Sequence, residues 1–410
     1  MRIIFLFIFS ISTQLFAQNV EGLEAYFNFD NVSTSNEFIE DASVVRGNTG
    51  KIGGTPNLVC GVKGNAFNMD GATNFVVLLG TISNLFSNRD FSVSMYIRPR
   101  AGALGLRDIF SKMDSCNNNQ TGFSIKYNGN AKQIIVDIKD RVRKLQLIAG
   151  IDQTQCWQHI VFTRAGNKSS LYINGTLRTS GYTNNRVQLT NNSFVGISNG
   201  PCINQGKSES RFNGYIDELK LFKVAITEDD VRDLYIEPDH IKNRDTIIYK
   251  GSNVQINLKN TCDTAFNWSP NYNISNTKIG NPILSPEVTT TYKVQFLNAQ
   301  CSASDTIHVI VVDPNSIDCN EVFFPTAFTP NDDGLNDSYG ISNPYAIKDL
   351  ISFEIYDKWG GKVFNTTDPF ALWDGKSNGS PLNPGVFLYR VAYRCNNEEK
   401  ILRGSFTLLK

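Results

Sequence analysis

Apolar and polar residues alternate with a period of two through most of this 410-residue chain. Typical stretches are FSVSMYIRP (91–99), QIIVDIKD (133–140) and HIVFTRAG (159–166), and Gly, Asn or Asp separates successive runs. Successive side chains of an extended strand point to opposite faces, so this period favours β-strands over helices. The chain is therefore predicted to be all-β.

Two local signals agree with this prediction. Asn174-Gly175 lies between SSLYI and TLRTS, and this dipeptide suits the positive φ angles of a type I′ hairpin. Only residues 226–235, ITEDDVRDLY, have a helical pattern, which begins with a capping box formed by Thr227 and Asp230.

The first seventeen residues, MRIIFLFIFSISTQLFA, have one Arg, an apolar core and a small residue at the end. This pattern predicts a secretory signal peptide at 1–17, with a core too short to span a membrane. We expect export and a mature chain without a transmembrane segment.

Charge and cysteine content narrow the class of protein further. The 39 basic and 39 acidic residues balance, so we expect no nucleic acid partner, which would need clustered Lys and Arg. All eight Cys follow the signal segment, and their even number in an exported chain predicts disulfides. No CxxC pair is present and the three His are scattered, which argues against zinc.

Composition breaks at Pro238-Asp239 and at 313–316 divide the mature chain into three units. The predicted boundaries are 18–237, 238–314 and 315–410. We expect a large N-terminal sandwich followed by two small ones.

The N-terminal unit contains GLEAYFNFD (22–30), CWQHIVFTR (156–164) and FNGYIDELKLFKVAITEDDV (212–231). In order and spacing these motifs resemble laminin-G-like, concanavalin-type jelly-roll domains. The resemblance implies two stacked antiparallel sheets whose end loops bind a glycan or a protein.

Strand parity suggests a disulfide that ties two such loops together. We count six strands between Cys116 and Cys202, which returns the chain to the same end of the sandwich. Cys60 and Cys156 are then paired by elimination, against the parity count. The two loops supply five candidate ligand-binding residues, Asp114, Asn117, Asn118, Asn199 and Asn204. The alternative is that these residues form ordinary solvated turns.

A structural Ca²⁺ is the one cofactor that the sequence suggests. EDASVVRGNTG (40–50) looks like the segment that wraps calcium in related domains. Asp41 would supply one oxygen and Asp217 another, because Ca²⁺ takes six to eight oxygen ligands. The alternative is an ordinary surface loop.

We expect no enzymatic activity. Glycoside hydrolases of this fold need two closely placed carboxylates, and no ExDxxE-like run occurs. GxSxG and HExxH are absent. Residues 200–208, GPCINQGKS, miss the P-loop pattern because five residues instead of four separate the glycines.

The middle unit contains VQINL (254–258), CDTAFNWSP (262–270) and CSASDTIHVIVV (301–312). It resembles the immunoglobulin-like or PKD-like repeats of bacterial surface proteins, which implies a spacer with a Cys262–Cys301 bridge. Trp268 follows Cys262 by only six residues, a departure from antibody spacing that favours the PKD-like variant.

The C-terminal unit carries four ordered motifs: TPNDDGLND (329–337), ISFEIYDKWGGKVFNT (351–366), LWDGKSNGSPLNPGVFLYRVAY (372–393) and GSFTLLK (404–410). Together they resemble the gliding-motility-associated C-terminal domain of Bacteroidetes, a type B sorting signal for the type IX secretion system. The resemblance implies a small β-sandwich that the export machinery recognises when folded. The type IX machinery is therefore the expected partner.

The residues that carry this resemblance are Asn331, Asp333, Gly334, Asn336, Asp337, Trp359, Gly360, Trp373, Asp374, Gly375 and Gly385. An EF-hand template does not fit 329–337, because Thr329 and Gly340 would occupy the first and twelfth ligand positions. Asx turns fit better. Cys319 and Cys395 bracket the unit and are expected to bridge it.

The combined prediction is a secreted or cell-surface protein that binds a glycan or surface protein ligand. The alternatives are a structural or motility-associated surface protein that binds no soluble ligand, and a non-catalytic accessory module of a polysaccharide-degrading assembly.

Overall fold

The structure is a computed structural model. It describes residues 21–409 apart from 34, 36, 46, 118, 204, 206–208, 263–264, 299–300, 314–315 and 332–335. The predicted signal peptide and Asn118, Asn204, Asp333 and Gly334 lie outside the described residues. The described chain is almost entirely β, as predicted. Within it, no helix has the length and apolarity needed to cross a membrane.

The N-terminal unit consists of seventeen strands and two short helices within the described residues. They are β1 (Leu23–Phe27), β2 (Phe38–Glu40), β3 (Thr49–Gly53), β4 (Leu58–Cys60), β5 (Asn65–Asp70), β6 (Phe75–Leu79), α1 (Ile82–Leu85), β7 (Phe91–Pro99), β8 (Leu106–Met113), β9 (Gly122–Asn128), β10 (Gln133–Lys139), β11 (Lys144–Gly150), β12 (Gln158–Ala165), β13 (Lys168–Ile173), β14 (Thr176–Tyr182), β15 (Val195–Ile197), β16 (Glu209–Arg211), β17 (Asn213–Phe222) and α2 (Glu228–Leu234).

These strands form two stacked sheets. One has the order β14-β13-β12-β7-β17-β5-β4 with β1 also on β17, and the other β11-β10-β9-β8-β15-β6-β3-β2 with β16 on β8. The large core between them includes Phe91, Phe123 and Phe162, whose rings contact one another. The predicted jelly-roll sandwich is confirmed.

Part of the outer face of the first sheet is also buried. Helix α2 begins with the predicted capping box, in which Thr227 accepts the amide of Asp230, and lays Val231 and Leu234 on this face. Trp157 comes just before β12 and packs on the same side as Tyr215. Burial of both faces explains why apolar residues in this region do not follow strict alternation.

The middle unit is a small sandwich. Its strands are β18 (His240–Ile241), β19 (Thr246–Tyr249), β20 (Val254–Gln255), β21 (Leu258–Lys259), β22 (Ala265–Ser269), β23 (Ile283–Leu284), β24 (Thr290–Asn298) and β25 (Cys301–Val312). The main sheet has the order β19-β25-β24-β22, and β18-β21 and β20-β23 are separate pairs. Trp268 is buried, and its indole N–H donates to the Ile279 carbonyl at 2.9 Å.

The C-terminal unit is a second small body. Its elements are β26 (Ala327–Phe328), a 3-10 turn (Pro344–Ala346), β27 (Asp349–Tyr356), β28 (Lys362–Thr366), β29 (Lys376–Ser377), β30 (Ser380–Pro381), β31 (Gly385–Cys395) and β32 (Glu398–Leu408). The sheet order is β26-β32-β31-β27-β28, with β29-β30 apart. Phe328, Tyr339, Trp373 and Phe406 pack in an aromatic core.

The disulfides confirm two predictions and overturn two. Cys116 is bonded to Cys202 and Cys319 to Cys395, as predicted. The described chain between Cys116 and Cys202 has seven strands rather than six, so the pairing is correct although the strand count was wrong.

Cys60 is bonded to Cys262 and Cys156 to Cys301, so the predicted Cys60–Cys156 and Cys262–Cys301 pairs are wrong. Cys60 ends β4, and Cys156 precedes β12, four positions away in the sheet. Four strand spacings come to about 19 Å, far beyond the reach of a disulfide. Both cysteines instead bond across the junction between the first two units.

The two junctions differ in kind. Two disulfides join the N-terminal and middle units, and the Ser304 amide donates to the Thr154 carbonyl at 2.9 Å. The middle and C-terminal units meet through the rings of Tyr249, Tyr345 and Phe370. Among the described residues no disulfide crosses this second junction.

Candidate functional site

The predicted ligand loops do meet at one part of the N-terminal sandwich. One is the β8–β9 connection, residues 114–121, and the other follows β15; Cys116–Cys202 joins them. Asp114 is exposed, and its Oδ1 accepts the Thr121 amide at 2.8 Å. We call these two connections the tied loops.

The other two described candidates in the tied loops, Asn117 and Asn199, differ in how exposed their side chains are. Asn117 is exposed, and its Oδ1 accepts the Asn119 amide at 2.9 Å, within its own turn. Asn199 is half-buried, and its Oδ1 accepts from Arg211 at 3.2 Å. Asn199 therefore helps to fix its loop, whereas Asn117 faces solvent.

A polar cleft of about 680 Å³ adjoins the tied loops. It is lined by Glu24, Thr81, Ser83, Asn84, Leu85, Phe86, Ser87, Arg89, Lys112, Thr190, Asn191, Asn192, Ser193, Phe194 and Lys223. The Asn191 side chain donates to the Thr121 carbonyl at 3.0 Å, which connects the cleft wall to the tied loops. No sequence motif marks this cleft, because its walls come from segments that are distant in the chain.

The cleft combines cations with an exposed aromatic ring. Lys112 is 1% exposed, and its Nζ donates to the Asn191 carbonyl and Oδ1, both at 2.9 Å. Burial lowers the pKa of Lys112, and the charge of Asp114 opposes that shift. Arg89 and Lys223 are exposed, and no ion pair involves either in the chain as described. Phe194 is 66% exposed.

A buried acid, Asp108, hydrogen-bonds to the tied loop that follows β15. The Asp108 carboxylate accepts the Gly200 amide at 2.9 Å, and its other oxygen has no hydrogen-bond partner. Burial, and then the charge of Glu209, raises the pKa of Asp108 to about 7. Glu209 pairs with Lys126 at 2.7 Å. Both carboxyls are buried, so neither is open to a polysaccharide chain.

The predicted calcium residues have separate partners. Asp41 accepts the Tyr26 amide at 3.0 Å and the Asn48 side chain at 3.1 Å. Asp217 accepts the Lys63 amide at 3.2 Å, and burial raises its pKa to about 8. In the described part of the chain, no group of three or more His, Cys, Asp or Glu could hold a metal ion. Calcium binding stays a prediction.

The two motif tryptophans of the C-terminal unit have opposite environments. Trp373 is 2% exposed, and its indole N–H donates to the Lys376 carbonyl at 2.8 Å. Trp359 is 84% exposed. The φ angles of Gly360 and Gly375 are +83° and +77°, so the glycines allow the turns beside the two rings.

The other motif residues build turns. The Asn331 amide donates to Asp337 Oδ1 at 3.0 Å, and Asn336 has a φ of +55°; both features agree with the predicted Asx-type turn. Asp374 Oδ1 accepts the Lys376 amide at 3.0 Å. Gly385 is the first residue of β31.

These features define an all-β protein in which a large jelly-roll sandwich precedes two small β-sheet units. Residues 70–232 match the family model of the concanavalin A-like lectin/glucanases superfamily. Residues 322–408 match the type IX secretion signal domain. The C-terminal unit is therefore a type IX secretion signal, which places the protein outside the cell or on its surface. The PKD-like assignment of the middle unit stays a prediction.

Several solved structures are similar to this chain. Domain 4 of an extracellular arabinanase from Geobacillus stearothermophilus, solved with arabinotriose, is 22% identical over 52% of this chain and 98% of that chain, with a TM-score of 0.37. The binding domain of Paraclostridial Mosquitocidal Protein 1 is 16% identical over 67% and 75%, with a TM-score of 0.42. Trypanosoma rangeli sialidase, solved with the inhibitor DANA, is 14% identical over 52% and 32%, with a TM-score of 0.38. These scores carry no functional argument.

No curated protein sequence matches this chain.

Proposed function

We propose that the N-terminal unit is a non-catalytic carbohydrate-binding module displayed at the cell surface. The observation that carries this proposal is the open polar cleft beside the tied loops. A rigid sandwich fixes the loops around such a cleft, and loops held in this way commonly form binding sites. A protein ligand is the competing occupant.

The lining of the cleft suits a sugar. Phe194 offers an exposed ring face, and Asn84 and Asn192 offer exposed amides that can both donate and accept hydrogen bonds. Arg89 and Lys223 add two exposed positive charges. This combination favours a carboxylated or sulfated polysaccharide over a neutral one.

A glycan array probed with the purified mature protein tests the proposal. We expect binding to acidic glycans that weakens as salt is raised, because exposed charges are screened. Phe194→Ala and Arg89→Ser should each lower affinity by about tenfold, as is typical for an aromatic or Arg anchor. Val142→Ala is the matched control, since Val142 is an exposed apolar residue outside the cleft lining.

Three results would overturn the proposal. The wild type could bind no glycan, as expected of a purely structural surface protein. It could bind glycans equally well with and without the cleft variants. Release of reducing ends from a bound polysaccharide would overturn its non-catalytic part.

A further inference from the structure

Trp359 is exposed to solvent on a turn that is ordered by hydrogen bonds. The turn joins β27 to β28, and Asp357 Oδ1 accepts the amides of Trp359 and Gly361, both at 2.8 Å. A Cβ on Gly361 would lie 2.8 Å from the Asp357 carboxylate, and Gly360 has a φ of +83°. The exposure of the indole is therefore a property of an ordered turn.

The ring belongs to a larger apolar surface. Trp359 and Val386 line one shallow pocket of about 280 Å³. Val386 is 54% exposed, and Leu388, two residues along the same strand, is 48% exposed. Lys358 Nζ lies 5.1 Å from the Trp359 ring centroid, and no described salt bridge involves it. We call Lys358, Trp359, Val386 and Leu388 the Trp359 patch.

This surface contributes little to the fold of its own domain. The core has its own tryptophan, Trp373, whose ring lies 5.5 Å from that of Phe328. A grouped set of exposed apolar residues around a tryptophan is typical of a protein-binding surface. The domain that carries it matches a secretion signal, and such a signal must be contacted by the export machinery.

We propose that the Trp359 patch is the surface by which the type IX export machinery binds this domain. The partner we infer is a protein of that machinery with an apolar slot for the indole and an acidic rim facing Lys358. The inference goes beyond carbohydrate binding and does not depend on it.

Export of the full-length protein in a host with an active type IX system tests this inference. Trp359→Ala should lower the surface-exposed fraction by about tenfold or more, because Trp anchors dominate many interfaces. Lys358→Glu should lower it several-fold through repulsion from the acidic rim. Trp359→Phe should restore most of the export.

Ile401→Ala is the matched control. Ile401 is an exposed apolar residue on β32, which pairs with β31, and it lies opposite Ala392, away from Val386. We expect wild-type export for this variant. Purified Trp359→Ala protein should bind glycans as the wild type does, because Trp359 does not line the cleft. Export and glycan binding are therefore measured separately, and failure of the carbohydrate proposal does not affect the export test.

Several outcomes would overturn the proposal. One is wild-type surface display of Trp359→Ala; another is equal retention of Ile401→Ala. A third is normal export together with loss of a dimer in solution, which would assign the patch to a second copy of this chain. If Trp359→Ala does not fold, Lys358→Glu and Val386→Ser decide, and normal export of both would refute the proposal.

Discussion

The two junctions of this molecule are built on different principles. The N-terminal and middle units are joined by two disulfides. The C-terminal unit contacts the middle unit through three rings and a Tyr345 hydroxyl that donates to the Ile247 carbonyl at 3.1 Å. Its own disulfide, Cys319–Cys395, stays within the unit.

The N-terminal and middle units are therefore coupled by disulfides, whereas the C-terminal unit is coupled to the middle unit by non-covalent contacts. Two disulfides and a backbone hydrogen bond hold the N-terminal and middle units together. The C-terminal unit has its own aromatic core and its own bridge, so it can fold as an independent body.

Removal of both inter-unit bridges should give the largest effect on stability. The bridges span sequence separations of 202 and 145 residues. Chain entropy assigns each about 5 kcal/mol as an upper limit, and less when both are present because their loops overlap. The variant with Ser at 60, 156, 262 and 301 should show separate calorimetric transitions for the first two units.

The control replaces Cys319 and Cys395 with Ser. It should lower the melting temperature of the C-terminal unit alone. If the first two units still melt together without their bridges, the covalent junction is not what couples them.

The pH dependence of stability should also differ between the units. Burial raises the pKa of Asp108 to about 7 and that of Asp217 to about 8. Their protonated forms are favoured in the fold, so their contribution is present below pH 4 and is lost as pH rises towards 8. The N-terminal unit should lose a few kcal/mol between pH 5 and pH 8 in urea unfolding.

Asp108→Asn should flatten part of that slope and leave the part due to Asp217, because the amide keeps an oxygen for the Gly200 N–H and does not ionise. The C-terminal unit gives the opposite sign. Hydrogen bonding from Lys362, with help from Arg390, lowers the pKa of Glu354, so its contribution is lost as pH falls. An N-terminal transition that stays constant from pH 5 to pH 8 would contradict the buried-acid account.

The non-covalent junction should give the smallest effect. Tyr345→Ala removes the hydrogen bond to Ile247 and the ring contact with Tyr249 across the junction, worth about 1–2 kcal/mol of coupling. X-ray scattering should show a wider spread of inter-unit distances, while Tyr345→Phe keeps the rings and should change little. An unchanged scattering profile for Tyr345→Ala would show that other contacts hold the junction.

Much of the fold could be predicted from sequence because alternation and turn residues act locally. The capping box of Thr227 and Asp230 is present as predicted. The two wrong disulfide predictions show what local sequence patterns cannot supply. The predicted units contain four, two and two cysteines, so pairing within units satisfied every count. Only the relative placement of β4 and β12 in the sheet excludes Cys60–Cys156.

Prediction of the candidate functional sites from the sequence has the same limit. The tied loops could be predicted because Cys116 and Cys202 mark them, but the cleft could not, since Lys112, Phe194 and Lys223 meet only in the folded sandwich. The motif pattern does not distinguish Trp359 from Trp373, since both are simply residues that carry the resemblance. In the folded unit Trp373 packs on Phe328 and is buried, whereas Trp359 is exposed.

Surface display after deletion of residues 319–410 tests the role of the C-terminal unit most directly. The deletion removes the secretion signal domain and leaves the two disulfide-joined units intact. Fractionation and protease accessibility should show the truncated protein retained in the periplasm, while the full-length protein reaches the surface. Display of the truncated protein at the full-length level would contradict the account.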